Sequence, residues 1–95
     1  MLVTQFKANP DTLLDRIEYG VRALQADGLE PKYLLVGKDA YEVLRAQISA
    51  RFNRPEGWFE TYQFLPIVVD PLRTDEVCVL PAPREIAAGV QVDVE

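Results

Sequence analysis

Four consecutive apolar residues, Tyr33-Leu34-Leu35-Val36, stand between Pro31 and Gly37, with a stretch of helical periodicity on either side. The run is too short for a helix and suits a buried strand. Upstream, Leu14, Ile17, Val21 and Leu24 recur at helical spacing and share one face, while Asp15, Arg16, Glu18, Arg22 and Gln25 fall largely on the rest. Asn9-Pro10-Asp11 supplies an N-cap, a proline at the first helical position and an early carboxylate. Asp27-Gly28 ends this helix, because glycine accepts the left-handed conformation after the last turn. Gly20 inside it costs about 1 kcal/mol relative to alanine, and close packing against another backbone would account for it.

Downstream of the strand, Ala40, Tyr41, Leu44, Ile48 and Phe52 follow helical spacing from Lys38 onward. Asp39 and Glu42 come early and Arg45 and Arg51 late, an order that matches the helix dipole. Pro55 and Gly57 close this second helix. The pattern then changes. Phe64-Leu65, Ile67-Val68-Val69 and Val77-Cys78-Val79-Leu80 read as strands separated by Pro66, Asp70-Pro71 and Pro81. Val90 to Val94 alternates with period two, as a half-exposed terminal strand does, and residues 82–89 suit a turn or a short helix. A short strand fits residues 2–6. Helices first and strands afterwards predict an α+β fold, with a small mixed or antiparallel sheet flanked by two helices. At 95 residues, with no internal repeat and no linker, the chain is expected to form one domain over residues 1–95.

Composition narrows the chemistry. The chain has no histidine and one cysteine, so the usual zinc and haem ligand sets, the serine and cysteine triads and an internal disulfide cannot be assembled. A net charge of −5 argues against nucleic-acid binding, which needs clustered Lys and Arg. No basic leader with an apolar run opens the sequence, and no apolar stretch approaches the roughly 20 residues of a spanning helix, so a cytoplasmic protein away from membranes is expected. Cys78 reads as a small buried hydrophobe in a reducing compartment.

Three groups of residues invite a chemical reading. Asp70, Asp75 and Glu76 could serve general acid–base work or hold a hard cation such as magnesium, which is the basis for the alternative of a small enzyme or ligand-binding domain; their positions beside Pro71 and before a strand suit solvated turn carboxylates better. Gly37-Lys38-Asp39 opens a helix after a strand, where an anion could bind, yet it lacks the glycine-rich run of a P-loop. Ser49 has no histidine partner, and Tyr19, Tyr33 and Tyr41 are expected at the edge of the core with hydroxyls outward. No catalytic, metal or cofactor site is therefore expected. The third group is Trp58, Phe59, Tyr62 and Phe64 beside Arg51 and Arg54, residue types enriched at interface hot spots. Either Trp58 and Phe59 fold back to cap a small core, or the group Arg54, Trp58, Phe59, Tyr62 and Phe64 forms a subunit or partner contact. On the second reading, Trp58→Ala or Tyr62→Ala weakens assembly while the monomer stays folded.

A resemblance sharpens that second reading. Leu13-Leu14-Asp15-Arg16-Ile17-Glu18, Ala26-Asp27-Gly28-Leu29-Glu30-Pro31 and Leu34-Leu35-Val36-Gly37-Lys38-Asp39-Ala40-Tyr41-Glu42-Val43-Leu44 resemble a small family from hyperthermophiles. Its members are stand-alone versions of the A-domain of tailed-phage major capsid proteins, the Hong Kong 97-type fold, grouped as the fourth family of encapsulins. The resemblance extends through residues 64–71 and 75–80, which look like the closing strands of that domain. It implies a small sheet flanked by helices and a non-enzymatic structural protein that self-associates or docks on a metabolic enzyme. A prophage capsid remnant is the other origin it admits. The chain has no counterpart of the N-terminal arm, extended loop or spine helix that make most shell contacts in full-length capsid proteins. Seven arginines against three lysines and seven prolines are compatible with a thermophile, as genome composition alone would also be.

Overall fold

The run Tyr33–Val36 does form a strand, and it lies near the middle of the sheet. A computed structural model describes residues 2–55, 57–89 and 91–94. In chain order the elements are β1 (Leu2–Lys7), α1 (Leu13–Ala26), β2 (Pro31–Gly37), α2 (Lys38–Phe52), β3 (Thr61–Tyr62), β4 (Leu65–Asp70), β5 (Glu76–Pro81), α3 (Pro83–Ala87) and β6 (Gln91–Val94). The six strands lie in the order β3-β4-β2-β5-β1-β6. β2 pairs parallel with β4 and antiparallel with β5; β1 pairs antiparallel with β5 and parallel with β6. This is an α+β fold with a mixed sheet, as the element order predicts. Among the described residues, no helix is long and apolar enough to cross a membrane.

One core joins residues from Val3 to Leu80. Helices α1 and α2 pack on each other and on the sheet. They bury Leu13, Leu14, Ile17, Leu24, Ala40, Tyr41, Leu44 and Ile48. β5 is buried from Val77 to Pro81 because it lies between β2 and β1. Val79 meets α1 at Gly20, where a Cβ would stand 2.9 Å from Val79 Cγ2. The close neighbour of Gly20 is therefore a stiff β-branched side chain, not a second backbone. On the opposite face of β5, Cys78 lies across from Gln5, whose side-chain oxygen accepts a hydrogen bond from Arg73. The Arg73 guanidinium is also held by Asp70 at 3.1 Å.

Several boundaries depart from the expected ones for local reasons. Asn9 does cap a helical turn: its Oδ1 accepts the Asp11 N–H at 2.9 Å and its carbonyl accepts the Leu13 N–H. Regular α1 nevertheless begins only at Leu13, after that turn. Gly28, at φ 77°, ends α1 as predicted. α2 stops at Asn53, in the left-handed conformation, with the N–H groups of Asn53 and Arg54 both on the Ser49 carbonyl. Asparagine tolerates that conformation, so neither Pro55 nor Gly57 is needed to end the helix. The two strands expected around Pro66 are one, β4; proline is tolerated because it sits near the start of a strand close to the sheet edge. Phe64 belongs to the preceding turn. Residues 82–89 include the short helix α3. Of the terminal strand expected over Val90–Val94, Val90 lies outside the described residues, as do Met1, Glu56 and Glu95.

The junction of β2 and α2 is tight. The loop between β4 and β5 lies over it, so that the Lys38 N–H donates to the Arg73 carbonyl and those of Asp39 and Ala40 donate to the Thr74 carbonyl. A Cβ at Gly37 would fall 2.8 Å from the Thr74 nitrogen and closer still to its carbonyl group. Gly37 has φ −71°, which any residue adopts; only the close approach requires glycine here. Gly37→Ala is expected to push the loop away and destabilise the fold by about 2–3 kcal/mol, lowering Tm by about 10 °C or more in a thermal melt.

Candidate functional site

The segment between α2 and β4 carries the aromatic residues singled out in the sequence, and Tyr41 anchors it. The Tyr41 hydroxyl donates to the Phe59 carbonyl and accepts the Phe59 N–H, both at 2.9 Å. One side chain on α2 thus satisfies both backbone groups of a loop residue that no strand pairs. Trp58 lies against Tyr41 with ring centroids 4.5 Å apart, yet it remains 68% exposed. The expectation of an outward Tyr41 hydroxyl is corrected: a buried ring inside a helix finds its partner in the loop that crosses over it. Nothing in the spacing of Tyr41 separates it from the other apolar residues of α2, so this anchoring role is not visible in sequence.

Beyond Phe59 the chain forms a hairpin, Thr61–Tyr62 against Leu65–Pro66, joined by Gln63 and Phe64. Both turn residues have positive φ, 49° and 67°, the pattern of a type I′ turn that ordinarily takes Asn-Gly. Left-handed backbone costs a non-glycine residue roughly 1–2 kcal/mol, and for a bulky aromatic it is a genuine outlier. Phe64 is 100% exposed, so no packing of its side chain offsets that strain. Gln63 has one polar tie, its Nε2 donating to Glu18 at 3.2 Å.

The hairpin walls a cleft of about 570 Å³ with Phe52, Arg54, Phe59, Tyr62 and Phe64 around it. Of the expected contact group, Arg54, Phe59, Tyr62 and Phe64 come together here, and Trp58 stands apart on Tyr41. Phe52, expected on the apolar face of α2, is half exposed and overhangs the cleft 6.3 Å from the Tyr62 ring. Tyr62 is only 4% exposed and forms the floor. Burial pushes its phenol pKa up, opposed by the nearby Arg51 guanidinium. Its hydroxyl makes no hydrogen bond of good geometry among the described residues. Tyr62→Ala would open a hole in the core, so it tests folding, and Phe64 is the better probe of contact. Charges of both signs surround the hairpin: Arg51 pairs with Asp15 at 3.4 Å, and Glu18 with Arg22 at 3.9 Å.

The remaining candidates have local partners. Asp70 accepts the Leu72 N–H and holds Arg73; Asp75 meets Lys7 at 3.6 Å; Glu76 accepts the Thr74 N–H. All three carboxylates shape the β4–β5 loop. Among the described residues, no group of three or more Cys, Asp and Glu is placed to hold a metal ion. At Gly37-Lys38-Asp39 the helix N–H groups already donate to Arg73 and Thr74, which leaves no anion site. Ser49 is buried on α2. Cys78 is buried too, and desolvation pushes its thiol up to about 11, with Arg73 pulling weakly the other way.

Compared with known proteins, the chain matches no family model, no curated protein and no solved structure.

Two expectations follow from this geometry. Tyr41→Phe removes both partners of Phe59 and is expected to cost about 1–3 kcal/mol, whereas Tyr62→Phe removes a buried hydroxyl that has no well-formed hydrogen bond and only the nearby Arg51 guanidinium, and should cost less than ~1 kcal/mol; urea titrations of the two variants compare them. Cys78 holds its proton in the folded state up to about pH 11 and releases it near pH 9 when unfolded. Its contribution is therefore fully present below pH 9 and lost as pH rises through that window, at up to ~1.4 kcal/mol per pH unit. Tyr62, also raised, acts in the same direction at higher pH. Cys78→Ala should flatten this alkaline decline in a stability–pH series.

Proposed function

We propose that this chain is a non-enzymatic assembly module of the cytoplasm, similar to a capsid or encapsulin A-domain, which self-associates or docks on a partner enzyme. The observation that carries the reading is Phe64: a fully exposed aromatic, held at the tip of a hairpin by a backbone conformation that disfavours it. Backbone strain of this kind persists where surrounding structure over-determines it, and such places cluster at functional sites. Trp58 adds a second exposed ring, positioned through Tyr41, and Arg54 a cation beside the cleft. Aromatic residues and arginine are the types that dominate binding energy at protein interfaces. The α+β fold with a sheet flanked by helices agrees with what the family resemblance implies, and the A-domain reading rests on that resemblance.

The test is absolute mass by light scattering on a sizing column, across a concentration series of the untagged protein. A discrete oligomer is expected, and a triple variant Arg54→Ala, Trp58→Ala, Phe64→Ala should shift it towards the single chain while the far-ultraviolet circular dichroism stays unchanged. An oligomer that persists in the triple variant removes this surface from the reading. A single chain at every concentration removes self-assembly and leaves docking on another protein.

A further inference from the structure

We propose that two copies of this chain form a two-fold dimer in which Phe64 of each seats in the cleft of the other, against Phe52, Phe59 and Tyr62. The dimer rests on the assembly reading above and specifies its partner, a second copy. A two-fold contact requires one patch complementary to itself. Phe64 stands on the rim of the cleft it would fill in the partner, so knob and hole occupy one patch. A dyad close to the hairpin tip therefore seats both rings at once.

Size supports the fit. A cavity of about 150 Å³ accepts a benzene ring, and the cleft offers about 570 Å³ with aromatic walls. Charge supports a second copy over a strongly acidic or basic partner. The chain carries −5 overall, which separates copies at most surfaces. Around this hairpin, however, Arg51 is paired with Asp15 and Arg22 with Glu18, so the surplus negative charge is not concentrated where two copies would meet. Area sets the strength. Covering Phe64 and the exposed half of Phe52 removes roughly 300 Å² per protomer, against ~800 Å² per partner in a standard interface. The apolar centre is thus small and depends on a polar rim, which points to a weak, reversible dimer.

The experiment is sedimentation equilibrium over roughly 1 μM to 1 mM on the wild type, Phe64→Gly, Phe52→Ala and Trp58→Ala. Glycine suits φ 67°, so Phe64→Gly deletes the knob without threatening the fold, and its dilute monomer should melt no lower than wild type. The expected result is a monomer–dimer equilibrium in the wild type, weakened at least tenfold by Phe64→Gly and by Phe52→Ala. Trp58→Ala should leave it unchanged. Wild-type association by Phe64→Gly overturns the dimer and leaves the assembly reading standing. Association lost only in Trp58→Ala also overturns it, and moves the contact to the Tyr41 side. A wild type that stays monomeric throughout overturns the dimer together with self-assembly.

Discussion

Where β2 becomes α2, the Thr74 peptide lies so close to Gly37 that a side chain there would overlap it. Three requirements meet there. The first N–H groups of α2 need acceptors, the β4–β5 loop needs a fixed course, and β5 must be delivered to the gap between β2 and β1. The carbonyls of Arg73 and Thr74 meet the first need and fix the loop in doing so. The carboxylates of Asp70 and Glu76 hold the same loop from its own side, by accepting the N–H groups of Leu72 and Thr74. The acidic residues that most resemble a catalytic set are thus part of the hinge on which the sheet closes.

At the other end of α2 the organisation is looser. The chain leaves the helix through a left-handed Asn53, crosses over Tyr41 and returns as a hairpin of minimal length. Its aromatic side chains divide by depth: Tyr62 is committed to the core, Phe59 lies at its edge, and Trp58 and Phe64 face water. Capping of the core and exposure to water, which compete as readings of the sequence, fall here to different members of one cluster.

What was legible in the sequence is what periodicity and strong stop signals encode. Leu14, Ile17 and Leu24 mark the buried side of α1, Gly28 its end, and Tyr33–Val36 a strand, because each is a local pattern with one low-energy solution. The misreadings are of another kind. Tyr41 looks like any apolar residue on α2, and its role depends on a loop eighteen positions away. Phe64 next to Leu65 reads as the beginning of a strand, since aromatic residues favour extended structure and seldom occupy a left-handed turn. β3, two residues long, has no pattern to detect; its pairing partner creates it. At the candidate site, composition identified the cluster but not which rings are exposed, because exposure is decided by tertiary packing.

The position of β5 in the sheet has a consequence for how the chain is made. β1 and β2 do not touch as neighbours; β5 lies between them, and it is encoded after both, beyond α2 and β4. During synthesis, a ribosome that has released residues up to Asp70 has exposed β1, α1, β2, α2, β3 and β4, and of these strands β4 can pair with β2 and β3 while β1 has no neighbour. The N-terminal strand waits as an open edge, and the apolar residues of β2 lack their second neighbour, until residues 76–81 emerge and enter the gap. Domains closed by such distant pairing fold slowly and pass through states with unpaired edges. A chain stalled or truncated before Glu76 would hold that vulnerable state permanently, with β1 and β2 both available to the wrong partner.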